Sequence, residues 1–206
     1  MKRLLLTTAL LGALHAAALA VSMNVDADRL KDVLGAPMQV SGLVVLTAGT
    51  SGTFPGPSPS SFTSGDEIVL KKWDLSAFGT PGALQDTTGD LAFSGAWDEG
   101  DPLQLYWYPT LGLNSPEPGF GTTFGTYRHA TGLDGSAPWI TPGAGDIIAL
   151  KFFTTDATFL SNGGTNPSSA GEAPFIVVPE PDTALMSLFG FTVIALARRR
   201  PLILAP

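Results

Sequence analysis

In the stretch 103–108, apolar and polar positions alternate. Leu103, Leu105 and Trp107 fall on one side of an extended chain, and Gln104, Tyr106 and Tyr108 on the other. The stretch 91–97 repeats the pattern, with Leu91, Phe93 and Trp97 opposite Ala92, Ser94 and Ala96. A period of two predicts strands, each with a bulky side turned to a core and a small or polar side turned out. Further strands are predicted at 40–47, 67–73, 123–128 and 147–154, between turns rich in glycine, proline and serine. Repeated short strands without intervening helices predict a mostly β domain over residues 21–160, an antiparallel β-sandwich or a barrel-like fold. Two of its segments echo each other: Gly65 to Lys71 and Gly145 to Lys151 both read Gly-Asp-x-Ile-x-Leu-Lys, as two paired strands built alike would. One short helix is predicted from an Asp28 cap through Leu34, with Gly35 and Pro37 as its stop signals. Residues 161–174, rich in serine, asparagine and glycine, predict a flexible linker.

Both ends carry apolar runs. Lys2 and Arg3 precede the first, from Leu4 to Ala20, which closes on the small-x-small triplet Ala18-Leu19-Ala20. Residues 1–20 therefore read as a secretory signal peptide, cut by signal peptidase before Val21 with Ala18 and Ala20 at the small positions. Ala16-Ala17-Ala18 offers a second site. At the other end, apolar residues 184–197 precede Arg198, Arg199 and Arg200, the pattern of a membrane helix with a cytoplasmic stop. Such a helix rises about 21 Å, short of the roughly 30 Å hydrocarbon core, so it is expected to hold the chain in the inner membrane only transiently. Pro179 and Pro181 disfavour a helix on its outer side and leave Glu180 in extended backbone.

Pro179-Glu180-Pro181, the apolar run and the arginine cluster together resemble a PEP-CTERM sorting signal. The likeness is confined to Val177 through Arg200, and segment 175–206 is read as that signal. The tail Pro201 to Pro206 departs from it, since members of the family usually stop soon after the arginines. The resemblance implies that exosortase, a membrane transpeptidase-like enzyme, acts at the tripeptide. It further implies export by a Gram-negative bacterium that makes extracellular polysaccharide, with the protein passing through the inner membrane to the cell surface or the extracellular space.

Composition narrows the chemistry. Gly 24 and Pro 17 in 206 residues suit short strands joined by turns rather than a helical bundle. The net charge is −7, yet the basic residues gather at the ends, and between Val21 and Ala197 there are 6 basic and 18 acidic side chains. That balance repels phosphate backbones, so no nucleic-acid partner is expected. Without cysteine there is no disulfide and no thiolate for catalysis or zinc. His15 leaves with the signal peptide, so His129 is the sole imidazole of the mature chain, and beside Arg128 at a strand end it reads as a surface or turn residue. A Gly-x-Ser-x-Gly elbow, a P-loop and a dinucleotide fingerprint are all missing from the sequence. No catalytic residue, metal or cofactor is assigned. Asn24, Asp26 and Asp28 are spaced like the start of a calcium loop, but Arg29 stands where its glycine belongs and Gly35 where its glutamate belongs. The cluster Asp98-Glu99-Gly100-Asp101 reads as a turn between strands.

Aromatic residues carry the one hint of a ligand. Tyr106 and Tyr108 project from one face about 7 Å apart, a spacing that suits stacking on a sugar chain, and Trp139 lies in a turn-rich stretch. The competing reading covers Tyr106 and Tyr108 with a second sheet and places Trp73, Trp97 and Trp107 in the core. Three functions follow: a non-catalytic structural or adhesive component of the matrix associated with exopolysaccharide, which is the expectation; a carbohydrate-binding module; or a glycoside hydrolase working with carboxylates alone.

Overall fold

The computed structural model describes residues 20–38, 42–129, 138–154 and 166–178. Residues 1–19, including Ala18 and all but the last residue of the expected signal peptide, lie outside this set, as do Pro179, Glu180, Pro181 and the arginine cluster. The described elements are β1 (Ala20–Ala27), β2 (Leu43–Gly49), β3 (Glu67–Asp74), β4 (Leu84–Thr87), β5 (Leu91–Ala92), β6 (Leu103–Tyr108), β7 (Thr123–Tyr127), β8 (Ile147–Phe152) and β9 (Phe175–Ile176), with 3-10 turns at Leu75–Ala77 and Ser168–Gly171. They form two sheets and no closed barrel. The first has the order β3-β2-β6-β7-β9 and is antiparallel throughout. In the second, β1 pairs antiparallel with β4 and β5 and parallel with β8.

Period-two alternation decides which side chains fill the space between the sheets. Val44 and Leu46 of β2 and Leu103, Leu105 and Trp107 of β6 pack with Val21, Met23 and Val25 of β1, Leu84 of β4, and Leu150 and Phe152 of β8. Trp107 sits at the centre. Its indole Nε1 donates to the Lys31 carbonyl oxygen at 3.2 Å, its ring lies 5.7 Å from that of Phe152, and Gly125 of β7 is its partner across the sheet. The opposite faces of β2 and β6 are buried as well, because Phe62, Phe124 and Val177 cover Leu43, Val45, Tyr106 and Tyr108 in a second cluster. Sequence alternation sorted the two faces of 103–108 correctly, but neither faces water: all six residues are buried.

Several expectations need correction. Residues 28–34 are not a helix: the Asp32 carboxylate accepts from the backbone N–H groups of Leu34 and Ala36, closing a turn through Gly35 at φ 78°. The strand expected over 91–97 stops at Ala92, since Gly95 takes φ 72° and turns the chain, although Phe93 and Trp97 still pack with ring centroids 4.8 Å apart. The two echoing segments form β3 and β8, but these lie in different sheets and do not pair with each other. Part of the expected linker is packed. Asn166 bridges to Thr154, Ala173 is fully buried, and the Lys31 N–H donates to the Gly171 carbonyl oxygen at 2.7 Å.

Candidate functional site

The three aromatic residues expected to stack on sugar are buried. Tyr106 and Tyr108 have no exposed surface and Trp139 keeps 1%, so none can present a ring face to a ligand. The two tyrosines project from one face of β6, as expected, but Phe62, Phe124 and Val177 cover that face. Tyr106 Oη donates to Glu67 Oε1 and Oε2 at 3.2 and 3.1 Å, and the Gly56 N–H donates to the same carboxylate at 3.3 Å. Burial pushes the Glu67 carboxyl up to about 7, against the pull of these two donors. Burial and the Glu67 charge together raise both phenols. The Tyr108 hydroxyl is buried without a hydrogen-bond partner among the described residues. His129 is buried too, at 3% exposure, which corrects its reading as a surface residue; its carbonyl oxygen accepts from the Trp139 N–H at 3.0 Å.

Polar side chains gather beside this cluster, with Arg128 exposed, Thr126 half-buried and Gln104 buried. An open groove of about 520 Å³ is lined by Phe54, Gln104, Thr126 and Arg128. The Arg128 guanidinium lies 5.2 Å from the centroid of Phe54 and donates to the Gly52 carbonyl oxygen at 2.7 Å, while the Gln104 amide donates to the Thr126 hydroxyl. An amide, a hydroxyl, a guanidinium and a ring face are the groups that bind sugar hydroxyls and carboxylates. Strand alternation does not reveal this set, because Phe54 and Gly52 come from a loop. A second cleft, about 330 Å³, is lined by Ile140, Ile148, Glu99 and Asp146. Both carboxylates come within 3.3 Å of where a Cβ on Gly143 would project. Among the described residues, no group of three or more metal-ligating side chains converges.

The carboxyl end of the described chain runs back onto the first sheet. In β9, Phe175 and Ile176 pair with Phe124 and Thr123, and the Phe124 and Phe175 rings lie 5.5 Å apart. The ladder continues past them: the Val177 N–H donates to Thr122 O at 2.9 Å, and the Gly121 N–H donates to Val177 O at 3.0 Å. Val177 is buried and Val178 is exposed. Only Val178 separates this anchored backbone from Pro179.

Residues 177–200 match the family model of the PEP-CTERM protein-sorting motif. This end of the chain is a sorting signal. No curated protein and no solved structure matches the chain. The match has the limits set by the tripeptide, the apolar run and the arginines, and it leaves the β domain unassigned. A PEP-CTERM motif marks an exported protein that exosortase processes at the membrane on the way to the cell surface. Its first residue, Val177, belongs to the outer core of the folded domain. No helix among the described residues is long and apolar enough to cross a membrane. The apolar run 184–197 lies outside them.

Proposed function

We propose that the mature protein is a non-catalytic structural or adhesive component of the cell surface or extracellular matrix of a Gram-negative bacterium, associated with its exopolysaccharide. Signal peptidase frees the amino end before Val21, and exosortase acts at Pro179-Glu180-Pro181. The observation that carries this reading is the PEP-CTERM match joined directly to a folded, acidic β domain. The amino end fits as well: buried side chains in β1 begin at Val21, so cleavage there keeps the core and gives up only the Ala20–Ala92 pairing with β5 and the hydrogen bond from the Gly145 N–H to Ala20 O. Replacing Pro179, Glu180 and Pro181 by alanine should leave the protein in the membrane fraction of the producing cell, with its surface or medium pool lost. An unchanged surface pool would overturn the sorting role.

A second reading, carbohydrate binding, rests on the groove of Phe54, Gln104, Thr126 and Arg128 rather than on Tyr106, Tyr108 or Trp139. Retention of the mature protein on the producer's own polysaccharide, lost in Arg128→Ala, would support it. Release of new reducing ends in the same incubation would favour the hydrolase instead, with Glu99 and Asp146 as the carboxylates to replace.

A further inference from the structure

The corner of the domain next to the sorting motif is apolar and uncovered. Phe120 is 71% exposed, Val178 60%, Ile176 56% and Phe175 49%. The hydrogen bonds from Val177 N to Thr122 O and from Gly121 N to Val177 O hold the turn bearing Phe120 beside the segment 175–178 at this sheet edge, with Phe175 on one face of the strand and Ile176 and Val178 on the other. Large exposed apolar side chains gathered at one corner mark a surface that something covers.

The covalent chain says what lies there. Six residue steps separate Val178 from the start of the apolar run at Ala184, a reach of at most about 20 Å when fully extended. A domain of this size is about 40 Å across. While the sorting helix sits in the bilayer, a tether half the domain's width keeps this corner, and not the far side, against the membrane surface. Pro179 and Pro181 stiffen the tether further. We propose that the patch of Phe120, Phe175, Ile176 and Val178 inserts into the interfacial layer of the outer leaflet of the inner membrane, seating the β domain on the bilayer until processing releases it. The inference rests on the sorting reading and adds a second membrane contact, made by the folded domain itself. Aromatic and aliphatic side chains at the headgroup level gain by apolar burial, not by charge. Glu117, Glu180 and Asp182 lie nearby in the chain, so anionic lipid should weaken the seating rather than strengthen it.

Tryptophan emission in brominated vesicles reads this contact. The natural tryptophans are buried, Trp73 and Trp97 at 4%, Trp139 at 1% and Trp107 at 0%, so they give a background that bromine in the lipid does not reach. The full chain carrying Phe120→Trp or Val178→Trp is reconstituted in zwitterionic phosphatidylcholine vesicles brominated high on the acyl chain. Ile147→Trp, on β8 of the other sheet, is the control. Vesicle flotation is measured alongside. The expected result is flotation of all three variants, with the emission added by Phe120→Trp and Val178→Trp falling by more than half and that added by Ile147→Trp unchanged. Flotation with no quenching at either patch position, or with equal quenching at Ile147→Trp, overturns the seating and leaves the sorting anchor standing. Failure to float would instead overturn the anchor itself, and the seating with it.

Discussion

Gly125 and Trp107 face each other across β7 and β6, and the pair works only because one of them has no side chain. A Cβ on Gly125 would stand 2.1 Å from the Trp107 ring. Gly125→Ala should therefore lower stability by about 1–3 kcal/mol or more, and Trp107→Ala by about 3–5 kcal/mol, in urea unfolding followed by circular dichroism. Unchanged midpoints would mean that the indole lies elsewhere. The two buried tyrosines should behave oppositely. Tyr108→Phe removes a hydroxyl that no partner satisfies and should be neutral or stabilising, whereas Tyr106→Phe takes a donor from Glu67 and should cost about 1–3 kcal/mol. Equal effects in thermal melts would contradict the hydrogen-bond assignment. Glu67 also sets a pH dependence. Its carboxyl is raised from 4.5 to about 7, so the folded state holds the proton more tightly than the unfolded chain. The stability this contributes is complete below about pH 4.5 and is lost as pH rises through about 7, a change on the order of 2 kcal/mol after allowance for solvent screening. Glu67→Gln should flatten that slope in urea midpoints taken between pH 4.5 and 8; a slope as steep as the natural chain's would remove Glu67 as its source.

Among the elements, strands with unbroken alternation were legible, and those whose signal was masked or short were not. β6 matches its expected limits, and the side chains of its two faces fall into separate clusters. β1 shows the same alternation, Val21, Met23, Val25 and Ala27 against Ser22, Asn24 and Asp26, but the run abuts the predicted signal peptide and its acids resemble a calcium loop. β4 has a single apolar residue, Leu84, and is held by pairing with β1 rather than by its own pattern. The described part of the expected linker, 166–174, is packed because small residues are also what a tightly apposed backbone requires. At Gly171 an added Cβ would stand 2.4 Å from the Arg29 carbonyl oxygen. Limited digestion with a glutamate-specific protease should accordingly cut at exposed Glu99 well before Glu172; early cleavage at Glu172 would show that the segment opens readily. The polar groove had no sequence signal, since its members are brought together only by the pairing of β6 with β7 and by the loop after β2.

At the scale of the whole molecule, the fold of the β domain reaches to the edge of the sorting motif that starts at Val177. The buried Val177 and the ladder through Thr122 place exosortase's expected site within a few residues of ordered sheet. Val178 alone lies between that ordered backbone and the first residue of the tripeptide. The sorting signal was fully legible in sequence because its parts are local, whereas the role of the domain depends on side chains gathered by the fold. Intact mass spectrometry of the secreted protein, from cells with and without exosortase, decides the account. With the enzyme active, the chain should begin at Val21 and lack Arg198, Arg199 and Arg200; without it, the arginines should remain on a membrane-bound form. A secreted product that keeps the arginine cluster in cells with active exosortase would contradict the sorting of this protein.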